Sequence, residues 1–339
     1  GVYDYFLDPY RTSFGRALKG QGIRNSDTSF YYIFENTLKY NKVIKKHKIA
    51  ALVGTVNQKN SWENTAIERR NFASDGIKTV NGGSEIMKAI STKSEKANSS
   101  FISRINYDYD NKYLLTANFR ADGSSIFGPD NRWGYFPSFS LGWRLSEENF
   151  LKESKVVSNL KLRLGWGLVG NDQIDNYAYL GRVGSGANYP IGGVVMPGTY
   201  PVSIENLALK WEESEQTNIG VDAGFLEGRV LLTADAYIKK TKDLLLNAPL
   251  PKSTGFDSAI QNIGKLQNKG VEFGLNTINT QGAVLWTSTL NLSINKNEVL
   301  DLVGQEIFTG GIAGRGEATL IKEGLPLGTL YGYEFGGVD

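Results

Sequence analysis

Apolar and polar residues alternate along this chain over unusually long stretches, and that pattern limits what it can fold into more than any other feature. Phe101, Ser103, Ile105, Tyr107 and Tyr109 fall on one face, and Ile102, Arg104, Asn106 and Asp108 on the other. Leu160, Leu162, Leu164, Trp166 and Leu168 alternate with Lys161, Arg163, Gly165 and Gly167, and Thr217, Ile219, Val221, Ala223 and Phe225 with Asn218, Gly220, Asp222 and Gly224. A period of two is that of an extended strand, whose successive side chains point to opposite faces. Ten such segments lie near 28–42, 47–62, 98–110, 112–123, 133–146, 158–170, 213–226, 229–246, 263–279 and 283–298. Most are longer than the roughly 5–6 residues usual in soluble sheets, and many exceed the roughly 9–11 that cross a bilayer when tilted.

The connections alternate in length. Val43–Lys46, Asp110–Asn111, Glu227–Gly228 and Gln281–Gly282 are short, whereas 63–97, 124–132, 171–212, 247–262 and 299 onward are long. Glu147 to Val157 is the exception and reads as a short helix, with Ser146 as N-cap and Glu147 and Glu148 in the first turn. Short turns at one rim and long loops at the other belong to outer-membrane β-barrels, whose interfacial aromatic girdle Tyr107, Tyr109, Tyr113 and Phe225 would supply. Lipid cannot satisfy an open strand edge. The fold expected is all-β: an arc of about ten antiparallel strands from a large transmembrane β-barrel, with one short periplasmic helix. No plug domain and no C-terminal closing strands are recognisable, so the whole of 1–339 reads as part of a barrel.

Composition excludes several functions. With 37 Lys+Arg against 35 Asp+Glu there is no basic surplus to bind nucleic acid. The absence of Cys removes thiolate metal sites and Cys nucleophiles, and a single His, His47, removes multi-His metal centres. The longest purely apolar stretch, Ile49 to Val53, is far short of the roughly 20 residues of a membrane helix.

Several segments resemble a known family. They are Asp110-Asn-Lys-Tyr-Leu-Leu-Thr-Ala-Asn-Phe-Arg120, Ala121-Asp-Gly-Ser-Ser-Ile-Phe-Gly128, Arg132-Trp-Gly-Tyr-Phe-Pro-Ser-Phe-Ser140, Gly142-Trp-Arg-Leu-Ser-Glu-Glu-Asn-Phe-Leu151, Leu160-Lys-Leu-Arg-Leu-Gly-Trp-Gly167 and Val169-Gly-Asn171. Trp211-Glu212, Gln216-Thr-Asn-Ile-Gly-Val-Asp222, Thr241-Lys-Asp-Leu-Leu245, Asn262-Ile-Gly264, Asn268-Lys-Gly-Val-Glu272, and Gly324 with Gly328 to Gly332 follow. In order and spacing, from about Asn36 onward, they are similar to the barrel of SusC/RagA-type TonB-dependent outer-membrane transporters. The resemblance implies a multi-pass protein of a Gram-negative outer membrane, set in outer-membrane lipid. It implies a plug, TonB as power source acting through it, a SusD-like lipoprotein lid, and import of oligosaccharides or peptides. It implies no cofactor and no catalysis. A self-contained porin or adhesin barrel would lack the plug, and a soluble all-β enzyme acting on polysaccharide would need a convergent acid pair.

Sites follow from the same segments. Arg120, Asp122, Gly123, Ser124, Ser125, Phe127 and Gly128, with Gly134, Phe136 and Pro137, form a motif read as a brace at the barrel rim. There Gly123 and Gly128 would take backbone angles other residues resist, and Asp122, Ser124 and Ser125 would cap amides. Glycan recognition needs aromatic faces beside amides, and Trp62, Trp133, Tyr189, Tyr200 and Trp211 lie in or beside the expected outer loops. Asn171, Asp172 and Asp175 lack the spacing of a calcium loop, and Glu147 and Glu148 point apart on a helix, unlike an acid–base pair. His47 sits in a basic turn, and Gly310–Gly316 lacks the setting of a phosphate loop and reads as a flexible outer loop. Arg104, Arg120, Arg144 and Arg163 would face a wet lumen.

Overall fold

A computed structural model describes residues 1–312, 316–334 and 336–337. They form two compact units, Gly1–Phe34 with Asn57–Asn98 and Glu35–Val56 with Ser99–Asp339.

In the first unit β1 (Val2–Leu7) pairs antiparallel with the start of β2 (Gln21–Ile44), Val2 opposite Ser26 and Leu7 opposite Gln21. The link between them holds α1 (Ser13–Leu18), capped by Thr12, whose hydroxyl accepts from the Gly15 amide. Strands β3 (His47–Phe72) and β4 (Gly83–Tyr109) run 26 and 27 residues, of which only 57–72 and 83–98 belong to this unit. Their distal parts are laced by Lys59–Glu95 and Lys93–Glu63 ion pairs, both 3.1 Å. Phe72 is buried and meets Phe6 edge-on at 5.2 Å; added side-chain atoms at Gly22 or Gly83 would press on its ring. The loop expected over 63–97 is therefore strand on both sides, and the connection shrinks to 73–82, with a 3-10 turn at Val80–Gly82. Charged cross-strand pairs occur here where alternation fades and polar residues occupy both faces.

The second unit continues with β5 (Tyr113–Ser124), β6 (Trp133–Arg144) and β7 (Val157–Asn171). A long excursion follows, holding β8 (Val183–Ser185), β9 (Tyr189–Ile191), β10 (Val194–Met196) and β11 (Thr199–Pro201). Then come β12 (Glu212–Phe225), β13 (Val230–Lys242), a hairpin of β14 (Leu245–Pro249) and β15 (Ser258–Asn262), β16 (Lys265–Thr280) and β17 (Trp286–Asp301). A three-stranded sheet closes the chain, from β18 (Ile307–Ile312), β19 (Gly316–Ile321) and β20 (Thr329–Leu330). The loop expected over Gly310–Gly316 includes 313–315, which lie outside the described residues. Hydrogen bonds order the main eleven-stranded sheet β1-β2-β3-β4-β5-β6-β7-β12-β13-β16-β17.

Register carries the alternation across strands. Leu115, Leu141, Leu164, Ile219, Ala236, Val271 and Ile294 form one cross-strand row. The next row is Gly142, Arg163, Gly220, Asp235, Glu272 and Ser293. Ile219 is 60% exposed and Leu141, Leu164, Val271 and Ile294 are exposed with it. So continuous an apolar surface suits a lipid solvent and would drive aggregation in water.

The ten expected strands all lie in the main sheet, with β1 added to it. The helix expected over Glu147 to Val157 is not: Leu145–Glu147 make a single 3-10 turn, and Ser146 lies inside it rather than capping. Glu148 is drawn back onto the strands instead, as described below.

Candidate functional site

Two built regions of the second unit flank the apolar band. At the short-turn side, His47 leans on Tyr109 at 4.9 Å, Tyr109 stacks on Tyr113 at 6.3 Å, and Tyr113 on Trp143 at 6.3 Å. Glu148 pins this row. The Tyr113 hydroxyl donates to its Oε1 at 2.7 Å, Trp143 Nε1 donates to the same oxygen at 3.1 Å, and Lys112 Nζ binds Oε2 at 3.0 Å. The Tyr113 hydrogen bond, with those from Lys112 and Trp143, pulls its carboxyl down to about 2 from an ordinary 4.5. His47 is thus no free turn residue: its Nδ1 lies 2.7 Å from the Tyr107 hydroxyl. Lys46 and Asp110 pair at 2.8 Å across adjoining turns.

At the long-loop side the chain builds a small core of its own from Ile126, Phe127, Phe136, Leu209 and Trp211. Ser124 is fully buried; its hydroxyl donates to Asp172 Oδ2 at 2.7 Å and accepts from the Ile126 amide at 3.4 Å. Trp211 Nε1 donates to the Arg132 carbonyl at 3.1 Å. The Phe136 ring occupies the space that side chains at Gly134 and Gly170 would need, so both positions demand glycine through close approach. Asn262 accepts from the Lys210 amide at 2.9 Å and donates to the carbonyls of Lys210 and Asp243, tying the two long loops together.

Several expected residues change role. Trp211 is 8% exposed and belongs to the loop core. Trp62 lies within β3 rather than in a loop. Trp133 opens β6, exposed, with its indole 3.1 Å from where a side chain on Gly123 would begin. Tyr189 and Tyr200 are exposed in β9 and β11. Gly123 and Gly128 hold no left-handed angles: Gly123 lies close under the Trp133 indole, and Gly128 has φ −59°. Asp122 receives both Nε and Nη2 of Arg120 at 3.1 and 2.8 Å. Pro137 pairs opposite Phe119 in the strand ladder. Sequence reasoning missed Leu209 and Asn206; the Asn206 amide donates to the Ile260 carbonyl at 3.0 Å, a contact between residues 54 apart.

The polar face between the two regions is knitted laterally. Arg163 Nη2 lies 2.9 Å from both Asp222 and Asp235, and Arg104 Nε donates to Asn118 Oδ1 at 2.5 Å. Their neighbours at Gly165 and Gly220 leave room for the Asn218 and Asp235 side chains to lie flat across the wall.

A sheet of this kind, apolar outward and cross-braced inward with its loops cored at one rim, has counterparts. Residues 1–311 match the family described as TonB dependent receptor-like, beta-barrel. The chain belongs to this family. The match begins at residue 1, further upstream than the resemblance from Asn36. A TonB-dependent receptor of Formosa agariphila is 37% identical over 325 residues, covering 94% of this chain and 30% of its own length. TonB-dependent receptor SusC of Bacteroides thetaiotaomicron is 41% identical over 250 residues, covering 69% of this chain and 25% of its own length. The solved RagAB peptide transporter superposes with a TM-score of 0.85 at 27% identity, over 94% of this chain and 35% of that one. The chain is a SusC/RagA-type TonB-dependent barrel segment, spanning between 25% and 33% of the length of the curated relatives it matches.

Proposed function

We propose that this chain is a wall of an outer-membrane active importer for oligosaccharides or peptides. Residues 1–339 supply barrel strands, and a plug and further strands come from the rest of the parent protein. TonB acts through the plug, and a SusD-like lipoprotein covers the outer rim. The observation that carries this reading is the cross-strand register: an exposed apolar row beside a braced polar row, within a chain that matches TonB-dependent receptors nearly end to end.

Braces such as Arg163 between Asp222 and Asp235 keep the polar face firm while a plug moves past it. The loop core around Phe127 and Trp211 holds the outer rim in one conformation. Trp133 and Tyr200, both exposed at the long-loop end, offer apolar faces against which a sugar ring or a peptide side chain stacks. The test is uptake by cells carrying the full-length transporter. Loss of the gene should abolish growth on one class of oligosaccharide or peptide, and so should loss of TonB with the gene intact. Undiminished uptake without TonB would reject active import.

A further inference from the structure

The outward face of β13, β16 and β17 changes character toward the long-loop rim. Its last wholly apolar row there is Ile219, Ala236, Val271 and Ile294. Alternation sets the next outward row two residues along, and it reads Phe139, Trp166, Thr217, Ile238, Lys269 and Lys296. The row opens on aromatic rings and ends on two lysines directly opposite one another, a placement in which like charges repel. Lys240, two residues beyond Ile238 on the same face, is a diagonal neighbour of Lys269. All three lysines are exposed. Lysines further out are neutralised: Lys242 pairs with Glu213 at 2.9 Å and Lys265 with Asp301 at 2.8 Å. Among the described residues Lys240 and Lys269 have no such partner, and Lys296 has only Glu298 at 3.8 Å. Glu215, opposite Lys240, accepts from Trp166 Nε1 at 2.8 Å.

Beside these lysines, toward the middle of the apolar band, the same face holds a depression of about 440 Å³. It arises because β13 carries alanine at 234 and 236, between the larger Ile219 and Val221 of β12 and Val271 and Phe273 of β16. Its volume is that of a small-ligand pocket, and its lining is almost wholly apolar. The carboxylate of Asp235 belongs to the other face, where it meets Arg163 at 2.9 Å. An occupant must therefore be apolar along its body and anionic at its outer end. A second copy of this wall would set lysine against lysine. A lipid carries both features in one molecule, and lysines at the border of an apolar band are placed to meet its headgroup.

We propose that this face binds one phosphate-bearing lipid of the outer leaflet, with an acyl chain in the groove over Ala234 and Ala236 and the phosphate held by Lys240, Lys269 and Lys296. This rests on the reading of the chain as a membrane-embedded wall. The test titrates the full-length transporter, stripped of lipid in detergent, with lipid A, with dephosphorylated lipid A and with inorganic phosphate, and reads retention by native mass spectrometry. Lipid A should be retained about tenfold better than its dephosphorylated form, and inorganic phosphate should not be retained. Lys269→Gln combined with Lys296→Gln should weaken lipid A binding about tenfold or more. Ala236→Phe, which fills the groove, should weaken it as well. Lys239→Gln, one residue from Lys240 but on the inner face, should leave it unchanged. Equal retention of the two lipids, retention of inorganic phosphate alone, or undiminished lipid A binding by either the lysine double variant or Ala236→Phe would overturn the lipid assignment. A transporter recovered in the soluble fraction without detergent would overturn the membrane-embedded wall itself, and the assignment with it.

Discussion

Phe127 is wholly buried although it lies in a loop, because Trp211, 5.3 Å away, and Ile126 and Leu209 close around it. Phe127→Ala should therefore behave as a core truncation, destabilising the folded transporter by about 3–5 kcal/mol in urea unfolding from detergent. Glu148 illustrates the opposite rim. Its folded pKa lies below the unfolded one, so its contribution is complete above about pH 4.5 and is lost as pH falls toward about 2. Glu148→Gln should flatten the dependence of Tm on pH within that window, and thermal scans of both proteins from pH 5 to pH 2 would register it. At this scale the sequence was an incomplete guide. Gly134 stood in a recognisable motif, but its reason, the Phe136 ring lying over it, needs the fold. Trp211 looked like a loop aromatic because its hydrogen-bond partner, the Arg132 carbonyl, is 79 residues away.

Strands were far more legible. A period of two identifies every long strand from β5 onward, since each has one lipid-compatible and one polar face. The signal failed in distal β3 and β4, where Lys59, Glu63, Lys93 and Glu95 pair across strands and polar residues occupy both faces. It failed again after β6: acidic residues behind Ser146 resemble a helix start, yet Glu148 turns back to Tyr113 and Trp143. Face identity has an energetic consequence. Leu164, midway along β7, points to the lipid side, so Leu164→Arg should cost about 2–4 kcal/mol. Ser140→Arg, paired opposite Gly165 on the polar face, should cost well under half as much. Equilibrium unfolding of the two variants compares them directly.

For the molecule as a whole, no single residue carries the function; the division of one chain into a lipid face and a polar face does. Long alternating strands express that division, and the family to which the chain belongs agrees with it. The chain has no Cys, so a reporter thiol can be placed at will along β7. The most direct measurement puts single cysteines at 160 through 165 of a full-length, cysteine-free transporter in bilayers, attaches a fluorophore, and adds a lipid-borne quencher. The account predicts quenching at the positions of Leu160, Leu162 and Leu164 and none at those of Lys161, Arg163 and Gly165. Equal quenching at all six positions, or at none, would contradict it.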